Sequence, residues 1–231
     1  MSNPSDPIED EGAVLTRWQA EEAAVRARMT RAGVARPEQV AGLTGLQVFQ
    51  AMLGGELPRA PIADTLDFAL VDAGHGRAVF QGRPRLEHYN PLGSVHGGWF
   101  ATLLDSALGC AVHTTLPVGK LYTTAELKIN IVRPLSVKVA LVRAVGTVIH
   151  AGKRMATADG RLTGPDGKSY TTAELKINIV RPLTDRVPLV RAAGAVIHLG
   201  SRMATAEGRM TGPDGRLYAH ASTTCFIFDT P

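Results

Sequence analysis

Two groups of residues between Asn90 and Asp105 have types and spacing that could do chemistry. Asn90-Pro91 is a turn-type dipeptide, and Gly93 keeps the backbone free as far as His96. Gly97-Gly98 then opens a run, Trp99 to Val112, that is apolar almost all the way round. Within it Phe100, Leu103, Leu104, Ala107, Leu108 and Ala111 recur at helical spacing, which predicts a buried helix too short to span a membrane. The two glycines leave its first-turn N–H groups unobstructed, a place to hold an anion or a developing oxyanion. Asp105 is the only acidic residue in the run. Buried, its carboxylate would lose hydration, its pKa would rise, and it could act as a base; on a polar edge it is an ordinary solvated acid. Both readings stay open on the residues alone.

Spacing adds a constraint. Gly97 and Asp105 are eight residues apart, roughly 12 Å along a helix axis. A base and an oxyanion donor must both come within ~3 Å of one reacting group. Either only one of them matters, or helices from two chains meet and each supplies half. The second option predicts a symmetric dimer with its sites at the interface.

The pattern Asn-Pro-x-Gly-x-x-His-Gly-Gly, followed by Asp nine positions after the His, resembles the signature of the PaaI-like (phenylacetate-pathway type) hotdog-fold acyl-CoA thioesterases. The resemblance extends from about Leu46 to Phe228. It implies an α+β hotdog fold, a long central helix wrapped by an antiparallel sheet, and two chains paired edge to edge. It also implies hydrolysis of an acyl-CoA. On that resemblance the Gly97 N–H polarises the thioester carbonyl and Asp105 of the facing chain activates water. Asn90 places the water or the carbonyl, and His96 braces the turn. A Ser or Thr ten residues before the Arg-Pro ending of a strand lines the site in this family. That position is Thr124 and again Thr172, with Thr124 favoured because it follows the helix by a short connection. Gly98, Trp99 and Arg133 complete the substrate-binding candidates, Trp99 with Phe100 as an apolar wall and Arg133 toward CoA phosphates, as Arg154, Arg181 and Arg202 could also reach. No cofactor and no metal are implied.

Composition bounds the rest. The chain has 231 residues, 45% apolar and 20% charged, as expected for a water-soluble globular protein. A net charge of +4 without a Lys/Arg block makes nucleic acid an unneeded partner, and no membrane segment is evident. Cys110 and Cys225 read as core thiols rather than a disulfide framework, and the N-terminus shows no signal-peptide pattern, so a cytoplasmic location is expected.

The elements that must position these residues follow from periodicity. Residues 1–10 read as a disordered tail, and Glu11 to Arg31 as an amphipathic helix with Leu15, Trp18, Val25 and Met29 on its apolar stripe. Together residues 1–42 make an N-terminal tail and helix, and 43–231 the thioesterase-like domain. Thr44 to Leu53 reads as a short helix, and Thr65–Val71 with Arg77–Gln81 as a hairpin. Beyond the central helix the sequence repeats: residues 119–166 and 167–214 differ at only 11 of 48 positions, a tandem duplication. Each unit reads as three strands, and Tyr218 to Phe228 as a last one. One unit suffices for a hotdog, so three strands are surplus. The expectation is a sheet longer than the usual five or six strands, built from both copies. A hydratase on acyl thioesters fits the Asp spacing poorly. A non-catalytic acyl-CoA-binding or scaffold protein, its site altered by the repeat, is the alternative.

Overall fold

Asp10 starts the first helix, its carboxylate accepting the Ala13 N–H at 3.2 Å, and α1 runs Glu11–Arg28. The computed structural model describes residues 10–152, 155–177, 187–201 and 203–226. The expected tail before Asp10, and Arg154, Arg181 and Arg202, lie outside the described residues. After α1 come α2 (Pro37–Val40), α3 (Gly45–Gly54) and α4 (Pro61–Thr65). Thr44 and Gln47 form a reciprocal cap at the start of α3, and Gly55, at φ 83°, ends it in a left-handed conformation that suits glycine. The hairpin is β1 (Phe68–Gly74) and β2 (Arg77–Gly82). The apolar run is α5 (Gly97–His113). Then follow β3 (Glu126–Ile131), β4 (Val142–Ala151), β5 (Ala156–Thr163), β6 (Ser169–Ile177), β7 (Arg191–Leu199), β8 (Met203–Thr211) and β9 (Leu217–Phe226).

The described residues fall into two compact units, one ending at Ile177 and one beginning at Val187. In the first, six antiparallel strands in the order β1-β2-β4-β5-β6-β3 wrap α5. Leu103, Leu104, Ala107, Leu108 and Ala111 of the helix are fully buried in one cluster with Phe80, Ala144, Ala158 and Leu162 of the sheet. The helix lies close enough that a Cβ on Gly146 would stand 2.4 Å from the Ala107 carbonyl oxygen. Glycine at 146 is therefore a packing requirement. The second unit is a separate three-stranded sheet, β7-β8-β9.

This corrects the expectation of a sheet longer than six strands. Only β6 of the second copy joins the helix-bearing sheet, between β5 and β3. The reason lies in the ladder: β6 satisfies both neighbours, Ala156 to Thr163 on one side and Glu126 to Ile131 on the other, so the hotdog is complete at Ile177.

On the face opposite α5, Arg143 of β4 points toward α1. Its guanidinium lies 4.4 Å over the Trp18 ring and pairs with Glu21. Trp18 and Val25 of the expected stripe are buried. Glu22 is fully buried as well, with Arg26 at 2.5 Å and Arg83 at 3.2 Å. The helix docks by one aromatic anchor and a buried carboxylate between two cations. Trp18→Ala should cost about 3 kcal/mol or more of stability. Urea unfolding would measure it, with hydrogen exchange rising first in α1.

Candidate active site

His96 fixes the start of α5. Its Nδ1 accepts the Gly98 N–H at 2.8 Å, and its own N–H donates to the His88 carbonyl at 2.8 Å. The Gly98 N–H is spent inside the turn. The Gly97 N–H, at the first helical position, meets no acceptor among the described residues. Asn90 holds the loop in front: its Oδ1 accepts the N–H groups of Leu92 (2.9 Å) and Ser94 (3.3 Å), and its Nδ2 donates to Ser94 Oγ (3.1 Å). That turn delivers the chain to His96.

Asp105 sits two turns along, half-buried. Thr124 Oγ1 donates to its Oδ1 at 2.8 Å. Loss of hydration raises the Asp105 carboxyl above the usual aspartate value, and the Thr124 bond offsets part of that rise by favouring the charged form. The surroundings are neutral. Burial lifts the Cys110 thiol to about 12, with the Asp105 charge adding to the effect. The Tyr122 hydroxyl is pushed well above its ordinary value by burial, then by Cys110 and Asp105. Burial lowers the His113 imidazole, which packs edge-on against Phe49 (5.2 Å) and tilted against Tyr122 (5.5 Å).

Tyr122 reaches this position because residue 109 is glycine: a Cβ there would come 2.5 Å from the Tyr122 hydroxyl. Tyr122, Gly109 and His113 escaped the sequence reading. The available signal was a glycine in an otherwise apolar helix, with an aromatic two residues before Thr124.

Of the two repeat-related threonines, the structure brings Thr124 to Asp105. Thr172 is exposed on β6, opposite Asn130 and Arg161 in the ladder. Trp99 and Phe100 are core residues: Trp99 donates its indole N–H to the Leu66 carbonyl at 2.9 Å and stacks on His88. Arg133 is exposed, its guanidinium 5.9 Å from the Tyr170 ring. No cluster of three potential metal ligands forms among the described residues, and no described helix is long and apolar enough to cross a membrane.

Removing the Thr124 hydroxyl should let desolvation act unopposed on Asp105. In Thr124→Val the acid limb of any Asp105-dependent pH profile should move to higher pH. Titration of the parent and the variant side by side checks this.

Comparison with known proteins bears on the same stretch. The thioesterase superfamily model matches residues 92–170, which span α5 and the repeat's first unit. A phenylacetic acid degradation-related protein of Ralstonia eutropha JMP134 is 27% identical, with a TM-score of 0.52 over 57% of this chain and 98% of its own. The Escherichia coli PaaI protein, from the phenylacetic acid degradation operon, is 22% identical with a TM-score of 0.50, over 59% of this chain and 93% of its own, and shares the fold. Among curated proteins no relative matches. With its strand order and its central helix, the first unit has the fold of these solved structures, and residues 92–170 match the thioesterase superfamily.

Proposed function

We propose that the protein hydrolyses acyl-CoA thioesters at two equivalent sites of a homodimer, with Asp105 as the base. The observation that carries the reading is the Asp105 carboxylate: half-buried, raised by desolvation and held by Thr124. The unfilled Gly97 N–H supports it from the other end of the helix. The two are roughly 12 Å apart along one helix, so the Gly97 N–H facing a given Asp105 comes from the partner subunit.

Asp105 takes a proton from a water molecule as the oxygen bonds to the thioester carbonyl carbon. The carbonyl oxygen gains the electron pair and accepts from the partner subunit's Gly97 N–H. Collapse of the tetrahedral species breaks the C–S bond, and the proton on Asp105 passes to the departing CoA sulfur. His96 and Asn90 position the Gly97 amide, and Thr124 orients the carboxylate.

Asp105→Asn should cut kcat by about 10²–10⁴-fold in a thiol-release assay on an acyl-CoA panel. Acyl-CoA binding without thiol release by the parent would overturn the hydrolase reading in favour of a binding protein. In the parent, kcat/KM should rise with pH through an inflection above 3.8, because only the carboxylate accepts a proton.

The same shift has a stability consequence of definite sign. The folded pKa lies above the unfolded one, so the folded state holds the Asp105 proton more tightly. This contribution is present below the unfolded value of 3.8 and is lost as pH rises through the folded value. Asp105→Asn should therefore melt higher than the parent at pH 7 and close to it at acid pH, as thermal unfolding at both would show.

A further inference from the structure

The face of α5 that carries Asp105 is only partly covered: Thr102, Asp105, Ser106, Cys110 and His113 are all half-buried. Gly109, on the same face one turn beyond Asp105, is the exception and is buried. What buries it is Tyr122. The three atoms nearest to where a Cβ on Gly109 would stand all belong to that side chain: the hydroxyl at 2.5 Å, Cε2 at 2.9 Å and Cζ at 3.0 Å. The far edge of the ring therefore rests on helix backbone, in a space that only glycine leaves.

Tyr122 and Thr124 arrive at α5 together, Thr124 bonding to Asp105 while Tyr122 covers Gly109. Four residues of helix advance about 6 Å and two residues of chain can span about 7 Å, so one short segment serves both positions. Beyond Tyr122 the face stays closed. The ring meets the His113 imidazole at 5.5 Å, and His113 meets Phe49 of α3 at 5.2 Å. From Asp105 toward the end of the helix the order is carboxylate, phenol, imidazole, phenyl.

An acyl-CoA has two unlike ends, one polyanionic and one uncharged, and the groups beyond Asp105 suit only the second. No lysine or arginine is among them. Burial holds the Cys110 thiol and the Tyr122 phenol protonated and lowers His113, so none of the three carries charge at neutral pH. They also lie toward the C-terminal end of α5, the negative end of the helix dipole, which repels phosphate. With its carbonyl at Asp105, the substrate's acyl group points over Gly109, and the first side chain it meets is Tyr122.

We propose that Tyr122 determines acyl specificity: its ring closes the acyl pocket one helical turn beyond Asp105, so the site takes short acyl groups and excludes long ones. The proposal rests on the acyl-CoA reading above. Gly109 is the positioning residue, since any larger side chain there displaces the ring. Loss of the ring opens a path along α5 toward His113.

Thiol release from straight-chain acyl-CoAs, acetyl to dodecanoyl, tests this with three variants. In the parent, kcat/KM should drop about tenfold or more once the chain is long enough to meet the ring. Tyr122→Ala should move that drop to longer chains and raise the dodecanoyl-to-acetyl ratio of kcat/KM by about tenfold or more. Tyr122→Leu should shift the profile the same way by less, and it carries the test if Tyr122→Ala does not fold. Tyr122→Phe keeps the ring and should keep the parent's profile. A parent as active on dodecanoyl-CoA as on acetyl-CoA overturns the proposal, and so does an unchanged profile in the Ala or Leu variant. A shift in Tyr122→Phe as large as in Tyr122→Ala overturns it too, by moving the effect from ring to hydroxyl. If the parent releases thiol from no member, the hydrolase reading fails instead. Isothermal calorimetry on the same series then decides the proposal separately: tighter binding of dodecanoyl-CoA by the folded Ala or Leu variant than by the parent sustains it, and equal affinity overturns it.

Discussion

The close approach of α5 to the sheet at Gly146 and Gly160 is the constraint on which the first unit depends. At Gly146 backbone meets backbone with no side chain between, and at Gly160 the Leu108 side chain fills the space, so the helix lies in the sheet's curve. Leu103, Leu104, Ala107 and Leu108 are sealed on every side as a result. A helix buried this completely has little room for a charge. Asp105 stands at its margin, where the chain leading into β3 arrives with Thr124. Site and core are consequences of one packing decision: the depth of the helix sets both the apolar floor under the carboxylate and the reach of the threonine.

The N-terminal helix serves the opposite face. Trp18 beneath the Arg143 guanidinium, and Glu22 between Arg26 and Arg83, cover strands that would otherwise present Val79 and Gln81 to water. A three-layer arrangement results, α1 outside, sheet, α5 inside. A buried ion pair of this kind is costly to break from one side and adds less than its geometry suggests, so the aromatic anchor carries most of the docking.

Much of this was legible in the sequence because the signals were local. The apolar spacing from Phe100 to Ala111 predicted α5, the Gly-Gly at its start predicted a helix N-terminus, and alternation predicted the strands. The nine-residue step from His96 to Asp105 marked the carboxylate. What escaped was non-local. Nothing in the helical pattern of α1 says that Glu22 is buried, because its partner Arg83 is distant in the chain. Tyr122 and Gly109 fit one another only after folding. The repeat defeated local reasoning: residues 122–135 and 170–183 are identical, yet one copy supplies Thr124 and β3 while the other supplies the interior strand β6. Position in a ladder is set by neighbours, and no propensity distinguishes identical strings.

Cys110 gives the buried floor a redox meaning. A thiol held near 12 is ionised in only about one molecule in 10⁵ at pH 7, and the thiolate is the form that attacks or exchanges. With its sulfur protonated and partly buried beside Asp105, Cys110 is a poor target for oxidants and for disulfide exchange.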